Sequence, residues 1–163
     1  MYFSNKGVTI IELLITVAIA SIILSLGIRY LGSINEREVL NTFSEELVTD
    51  LKAAQNRAAS SIQDATSPGR KVVAVQVSIN TDNYVISRLL DNGTTEQISR
   101  KAQKPMEFTT TQAQFTFTMP TAKLYNGTAG APLGSDVVIT VLHSGISKSR
   151  QIIVRRNGSI YIN

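Results

Sequence analysis

One carboxylate stands alone in an apolar stretch near the start of the chain. Between Val8 and Ile28, Glu12 is the only residue with a formal charge. A carboxylate in apolar surroundings is costly unless an opposite charge accompanies it. The stretch therefore predicts that some other group pairs with Glu12. Thr9 and Glu12 also have the spacing of a capping box, which satisfies free N–H groups at a helix start, and both roles could hold.

The stretch that contains Glu12 is long enough to cross a membrane. A helix over residues 8–28 would be about 31 Å long, against about 30 Å for the hydrocarbon core of a bilayer. An acid inside such a segment indicates a functional site, because charged residues are rare there. We predict a transmembrane helix over residues 8–28. A simple signal anchor with a chance acid is the alternative.

The residues around this start match a known signature. Residues 7–14 read GVTIIELL, which resembles the GFTLIELL signature of type IV prepilins and pseudopilins, although phenylalanine is usual where Val8 stands. The resemblance implies that residues 1–7 are a leader peptide. A membrane peptidase would cut after Gly7 and methylate the new N-terminal residue, Val8. The resemblance also implies that Glu12 compensates the new α-amino group of a neighbouring subunit during filament assembly.

The helix is predicted to continue beyond the membrane segment, because no proline occurs before Pro68. We expect it to run from Val8 to about Ile62, with an amphipathic part over residues 29–63. Apolar residues in that part recur at spacings of three or four, which predicts a stripe packed against the chain's own head. The stripe consists of Leu40, Phe43, Leu47, Leu51, Ala54, Ala58 and Ile62.

Residues 64–163 are predicted to form one β-rich globular head. Breaker-rich residues 64–70 end the helix. Apolar alternation and flanking turn residues predict four strands, over residues 72–79, 84–90, 115–119 and 137–142. The second should pair with the first, and the fourth, apolar on both faces, should be a central strand covered on both sides.

The end of the chain is predicted to form a hairpin. Asn157-Gly158 is a preferred pair for a two-residue type I′ turn, and apolar residues flank it on both sides. Residues 120–136, rich in Gly, Pro and Ala, are predicted to be a surface loop. The predicted fold class is α+β and type IV pilin-like, with a long N-terminal helix packed on an antiparallel β-rich head.

Composition excludes several kinds of chemistry. The chain has 163 residues and no cysteine, so disulfides, zinc thiolates and iron–sulfur clusters are impossible. The single histidine, His143, is interpreted as a strand-end residue. No Walker loop, serine elbow or EF-hand loop occurs, so we expect no enzyme activity, no metal and no cofactor. The enzyme alternative is a membrane-anchored β-domain hydrolase.

Four basic residues are concentrated at the predicted C-terminal hairpin, and the net charge of the chain is +4. One interpretation is a solvated edge strand that charge protects from aggregation. The other is a non-specific, salt-sensitive contact with DNA phosphates. The four residues are Lys148, Arg150, Arg155 and Arg156.

Residues in the second half of the helix resemble one particular group of pilin-like proteins. Residues 43–59 read FSEELVTDLKAAQNRAA, which looks like GspH/FimT-type minor pseudopilins and minor pilins. This resemblance implies a non-enzymatic subunit of a type IV pilus or a type II secretion pseudopilus. It would be single-pass in the bacterial inner membrane, with its head outside the cytoplasm, and would then enter a filament.

The resemblance also implies partners. They are the prepilin peptidase/methyltransferase, other pilin or pseudopilin subunits, an inner-membrane assembly platform and membrane lipid. Some FimT-type minor pilins bind DNA, so a DNA-uptake minor pilin that uses the basic hairpin is the alternative function.

Overall fold

One long helix precedes nine strands in the part of the chain that the computed structural model describes, residues 9–60, 72–102, 105–119, 121–127 and 131–163. Two compact units result, one ending at Glu36 and the other running from Arg37 to Asn163. The elements are α1 Ile10–Ser60, β1 Val72–Ile79, β2 Asn83–Leu90, β3 Thr95–Ala102, β4 Met106–Thr110, β5 Gln114–Thr118, β6 Lys123–Asn126, β7 Val137–His143, β8 Lys148–Val154 and β9 Ile160–Ile162.

The predicted long helix is confirmed over the described residues. Helix α1 continues through Gly27 and Gly32, because a glycine inside a helix costs only about 1 kcal/mol. Val8 and residues 61–63, which the prediction also assigned to the helix, lie outside the described residues. The breaker-rich segment over residues 64–70 lies outside them as well.

The apolar stripe of the helix packs into the core of the head, as predicted. Its six described residues are each exposed by 3% or less, whereas Ile62 lies outside the described residues. The same core contains inward-facing residues of both sheets, among them Val77, Phe115 and Ile139. Burying a large apolar side chain contributes about 1.5–3 kcal/mol, so the stripe stabilises the head.

The strands form two antiparallel sheets, which confirms the predicted α+β fold class. The five-stranded sheet has the order β3-β2-β1-β5-β6, and the four-stranded sheet has the order β4-β7-β8-β9. Strand β2 pairs with β1, as predicted, with Val77 opposite Ile86. Alternate side chains of each sheet enter the core, because successive residues of a strand point to opposite faces.

Strand β7 differs in part from its prediction. It is central, because it lies between β4 and β8. It is not fully covered on both sides, since Val137, Ile139 and Val141 are buried but the residues between them are only half-buried. An antiparallel sheet commonly packs only one face on the core. The residues on the other face of β7 therefore stay half-buried, although two of them are apolar.

The predicted loop over residues 120–136 is wrong in its first part, which contains β6. This strand pairs with β5, and Tyr125 forms an isolated bridge with Pro132. Leu124 is exposed by only 5%, and its burial helps to attach this glycine-rich segment to the sheet.

The terminal hairpin is confirmed, but the predicted type I′ turn is wrong. Gly158 has a φ of 89°, whereas Asn157 is absent from the positive-φ residues of the described chain, and a type I′ turn requires both. The Gly158 N–H donates to the Arg155 carbonyl at 2.8 Å, and the Arg155 N–H donates to the Ser159 carbonyl at 2.9 Å. The result is a three-residue loop with glycine at its left-handed position.

Candidate functional site

The start of the helix carries the predicted processing and assembly residues. Gly7 and Val8 lie outside the described residues. Thr9 precedes α1, and its Oγ1 accepts a hydrogen bond from the Glu12 backbone N–H at 3.3 Å, which forms one half of the predicted capping box. Among the described residues, nothing pairs with the Glu12 carboxylate.

The helix residues that follow Glu12 are exposed on every face. Side chains from Ile10 to Leu26 are all exposed, and the values for Ile10, Leu14 and Leu24 are 82%, 63% and 65%. A helix that is apolar all round normally requires cover from lipid or protein. Within the described residues, no helix has both the length and the hydropathy required of a membrane span.

Hydroxyl groups in this apolar stretch bond to their own helix. Thr16 donates to the Leu13 carbonyl at 2.8 Å, and Ser21 donates to the Val17 carbonyl at 2.8 Å. Such bonds satisfy a hydroxyl without any outside partner. The Glu12 carboxylate has no equivalent bond in the described residues, so it differs from the other polar side chains of the stretch.

The four basic residues do not form one cluster. Lys148 and Arg150 belong to the first half of β8, while Arg155 and Arg156 follow the strand. Five residues of extended strand cover about 16 Å, so Arg150 and Arg155 lie far apart. Arg150 instead contacts α1, where its Nε donates to Asn41 Oδ1 at 3.1 Å.

The second pair of basic residues has partners within the hairpin region. Arg155 Nε donates to Tyr161 Oη at 2.9 Å, and its guanidinium lies 5.1 Å from the centre of the Tyr161 ring, within the range of a cation–π contact. The Arg156 backbone N–H donates to Asp136 Oδ1 at 3.1 Å. An open cleft of about 430 Å³ contains both arginines and Asp136.

A glutamine holds this hairpin against the helix. Gln55 Nε2 donates to the Gly158 carbonyl at 2.9 Å, and a Cβ placed on Gly158 would lie 2.5 Å from that nitrogen. Sequence reasoning missed Gln55 and Asn41 as partners of the hairpin. They are 103 and 109 residues away from their contacts, and no local pattern reports such a distance.

The remaining polar candidates show no metal or nucleophile arrangement in the described part of the chain. His143 is the last residue of β7, as predicted for a strand end, and is 3% exposed. Its Nδ1 has no hydrogen-bond partner among the described residues. No group of three or more His, Asp or Glu side chains among the described residues could hold a metal ion.

The N-terminal region matches the family model of the prokaryotic N-terminal methylation motif over residues 3–28. This chain carries a prepilin-type methylation motif. This match confirms the predicted resemblance to prepilins. Gly7, Val8 and Glu12 lie within the matched range, and their roles in processing and assembly stay predictions. No curated protein matches the chain by sequence at a significant level.

The fold of the pilin-like chain is similar to that of the minor pseudopilin EpsH from the type 2 secretion system of Vibrio cholerae. The TM-score is 0.56 at 8% sequence identity, and the similarity covers 76% of this chain and 95% of EpsH. This likeness confirms the predicted pilin-like fold, in which a helix packs on antiparallel sheets.

Proposed function

We propose that this protein is a non-enzymatic minor subunit of a filament of the type IV pilus or type II secretion class. The observation that carries the proposal is the methylation motif over residues 3–28. It stands at the start of helix α1, whose first part, residues 10–26, exposes apolar side chains on all faces. The EpsH-like head supports the same function, because a pilin-like fold joins such a helix to a globular head.

Processing creates the partner that Glu12 lacks. The prepilin peptidase cuts after Gly7 and methylates Val8, which places a new α-amino group at the helix start. In surroundings of low dielectric constant, an amine and a carboxylate attract strongly, and an unpaired charge there is costly. The Val8 amine of one subunit and Glu12 of its neighbour therefore set the axial register of assembly.

The exposed apolar stretch is covered in two successive surroundings. Residues 8–28 first hold the subunit in the inner membrane, single-pass, with the head outside the cytoplasm. With the inner-membrane assembly platform, the subunit then leaves the lipid and packs this helix among those of other pilin or pseudopilin subunits. In both surroundings, apolar atoms surround side chains such as Leu14 and Leu24, which are 63% and 65% exposed.

Mass spectrometry of the membrane-extracted protein tests processing. The expected protein lacks residues 1–7 and carries one added methyl group on Val8. A Gly7→Ala variant should keep its leader, because the cut follows the glycine. An intact N-terminus in the wild-type protein, in cells with an active prepilin peptidase, would contradict the proposal.

A Glu12→Gln variant separates processing from assembly. The glutamine is nearly isosteric but cannot neutralise the amine of a neighbouring subunit. We expect this variant to be cleaved and methylated normally, but to be strongly reduced in isolated filaments. Glu45→Gln, a change at an exposed position of the head, is the matched control and should assemble. Equal incorporation of both variants would remove the role of Glu12.

The type of machine is tested by loss of the gene. The likeness to EpsH favours a secretion pseudopilus, and we expect a deletion strain to lose secretion of exported proteins while surface pili persist. Loss of pili with normal secretion would assign the protein to a type IV pilus. The genes beside its own, for secretion or for pili, provide an independent check.

DNA uptake is the alternative function. It is favoured by the open cleft that contains Arg155 and Arg156, with the Tyr161 ring beside Arg155. DNA binding by the full chain should weaken steeply with salt, and further when Lys148, Arg150, Arg155 and Arg156 are changed to alanine. Absence of DNA binding at low salt would exclude this role.

A further inference from the structure

Asparagine is followed directly by glycine at three places in the head, at Asn92, Asn126 and Asn157. This pair is chemically unstable, because the backbone nitrogen of the glycine can attack the side-chain amide of the asparagine. Glycine has no Cβ that would hinder the approach. All three asparagine side chains are exposed, but the structure holds the three glycines in different ways.

Two of the pairs lie in hairpin loops of the same geometry. The Gly93 N–H donates to the Leu90 carbonyl at 3.0 Å, and the Gly158 N–H donates to the Arg155 carbonyl at 2.8 Å. Both glycines are left-handed, with φ of 80° and 89°. The loop between β2 and β3 therefore matches the loop between β8 and β9, and the two asparagines can be compared directly.

The side-chain carbonyls of these two asparagines are also bonded alike. Asn92 Oδ1 accepts hydrogen bonds from the Thr94 N–H at 3.0 Å and from Thr94 Oγ1 at 2.7 Å. Asn157 Oδ1 accepts them from the Ser159 N–H at 3.0 Å and from Ser159 Oγ at 2.8 Å. Such donors stabilise the negative charge that develops on the oxygen when a nucleophile attacks its carbon. Both side chains are therefore activated to a similar degree.

The surroundings of the two glycines differ. Apart from its chain neighbours, no described atom lies within 4 Å of the position of a Cβ on Gly93. Gln55 Nε2 of helix α1, in contrast, donates to the Gly158 carbonyl at 2.9 Å. To bring its nitrogen to the asparagine side chain, a glycine must leave its place in the loop. Gly93 gives up one bond inside its own loop, whereas Gly158 must also separate from the helix.

The third pair is held in the five-stranded sheet. The Gly127 N–H donates to the Gln114 carbonyl of β5 at 3.2 Å, and the Gly127 carbonyl accepts a hydrogen bond from Thr116 Oγ1. Asn126 Oδ1 accepts one from Gln112 Nε2. Movement of this glycine therefore opens the sheet locally, which costs more free energy than movement of an exposed loop.

We propose that Asn92 is the residue that the fold leaves open to spontaneous modification, by deamidation through a succinimide. The Gly93 nitrogen gives up its proton to water and attacks Asn92 Cγ, and the Cγ–Nδ2 bond breaks with release of ammonia. Water then opens the succinimide ring. Opening at Cγ yields an aspartate with the normal backbone, and opening at the backbone carbonyl yields an isoaspartate. This chemistry does not depend on the proposed function.

The modification alters one edge of the head. Isoaspartate lengthens the backbone of the loop between β2 and β3 by one carbon atom, and either product adds a negative charge. The bond from the Leu90 N–H to the Thr94 carbonyl, of 2.9 Å, closes this loop and is the first contact to be disturbed. Because β3 is the last strand of its sheet, the modified head keeps its core.

Mass spectrometry of the full chain in nonionic detergent tests the proposal. The protein is incubated in H₂¹⁸O at mildly alkaline pH, where the glycine nitrogen loses its proton more readily, and is digested with trypsin in ordinary water. Each deamidation during the incubation then carries one labelled oxygen. Cleavage after Lys and Arg places the three asparagines in separate peptides, over residues 89–100, 124–148 and 157–163.

The expected order of reaction in the folded protein has Asn92 first. Asn92 should react about tenfold faster than Asn157, because Gly158 has one more hydrogen bond to break, and Asn126 should also react slowly. Equal rates at Asn92 and Asn157 would overturn the proposal. In urea the three rates should converge, and a preference for Asn92 that persists there would show that the fold does not select this residue.

A substitution in the helix tests the role of Gln55. Gln55→Ala removes the side chain that holds Gly158, so Asn157 should react about tenfold faster while Asn92 keeps its rate. Asn56→Ala, at an exposed position beside Gln55, is the matched control and should change neither rate. An unchanged rate at Asn157 in Gln55→Ala, or an equal increase at Asn126, would overturn the protection that we assign to the helix.

Discussion

Both parts of helix α1 are rich in apolar residues, yet only one part has a core to pack against. From Ile10 to Leu26 every side chain is exposed, whereas Leu47, Leu51 and Ala58 of the later part are fully buried or nearly so. The arrangement of the residues explains the difference. A head can cover a stripe on one face of a helix, but it cannot cover a helix that is apolar on all faces.

The carboxylates of the two parts show the same contrast. Asp50 Oδ2 accepts a hydrogen bond from the buried Tyr84 Oη at 2.7 Å, so its partner comes from the same chain. Glu12 has no partner in the described residues. Folding thus supplies the partner of Asp50, whereas under the proposed function assembly supplies the partner of Glu12.

The largest expected effect comes from the buried stripe. Phe43 is 2% exposed and contacts the Phe108 ring at a centroid distance of 5.8 Å. Phe43→Ala should lower the free energy of unfolding of the head by about 3–5 kcal/mol, because it leaves a cavity. Urea titration of the full chain in detergent, followed by circular dichroism, measures the loss.

The matched control for Phe43→Ala lies in the exposed part of the helix. Leu24 is 65% exposed, so Leu24→Ala should change the unfolding of the head by less than about 0.5 kcal/mol. A loss from Leu24→Ala as large as that from Phe43→Ala would mean that the head does pack against the apolar stretch.

The next largest loss of stability is expected at the contact between helix α1 and the C-terminal hairpin. Gly158→Ala would force a left-handed backbone on alanine and place its Cβ 2.5 Å from Gln55 Nε2. We expect a loss of about 2 kcal/mol or more in unfolding free energy. Gly93, with φ of 80° and open space around it, is the control, and Gly93→Ala should lose only about 1 kcal/mol. Equal losses would show that the Gln55 contact contributes nothing.

Tyr84 makes the stability of the head sensitive to alkaline pH. Burial, and then the hydrogen bond and charge of Asp50, raise the pKa of Tyr84 above its ordinary value of 10.0. Above that value the unfolded chain loses this proton while the folded head keeps it, so stability must fall as pH rises. Tyr84 alone should lower the free energy of unfolding by up to about 1.4 kcal/mol for each pH unit in this range.

Urea titrations at several alkaline pH values measure the slope. Tyr84→Phe should remove the contribution of this residue, while Tyr125→Phe, which changes a half-buried tyrosine, should retain it. An unchanged slope in Tyr84→Phe would assign the alkaline loss to other groups.

The sequence predicted an element correctly wherever a regular spacing of apolar residues coincided with their burial. The spacing of Leu40, Phe43 and Leu47 predicted the buried face of α1, and the alternation in residues 72–79 predicted β1 with its observed bounds. Strand β3 was missed because its sequence TEQISRKA contains a single large apolar residue, Ile98. Strand β6 was missed because glycine and proline surround it.

The candidate sites also differ in whether the sequence alone could predict them. The motif around Glu12 is local in sequence, so it could be found without a structure. The basic residues were grouped by sequence proximity, but β8 separates them into two pairs. The contact between Arg150 and Asn41 spans 109 residues, and only the packing of α1 on the sheet brings them together.

The smallest expected effect compares the same hydrogen bond in the two parts of the helix. Ser44 Oγ donates to the Leu40 carbonyl at 2.7 Å in the core, and Ser21 Oγ donates to the Val17 carbonyl at 2.8 Å in the exposed stretch. Alanine removes either bond without leaving an unpaired donor, and it favours the helix by a few tenths of a kcal/mol. Ser44→Ala also leaves a small cavity, so we expect a net loss of about 0.5 kcal/mol there.

Ser21→Ala should leave the unfolding of the head unchanged, because the Ser21 side chain is exposed. Paired urea titrations of the two variants measure this difference directly. A loss confined to Ser44→Ala supports the division of α1 into a part stabilised by the head and a part that depends on other surroundings. A loss in Ser21→Ala of equal size would contradict that division, since it would couple the apolar stretch to the folding of the head.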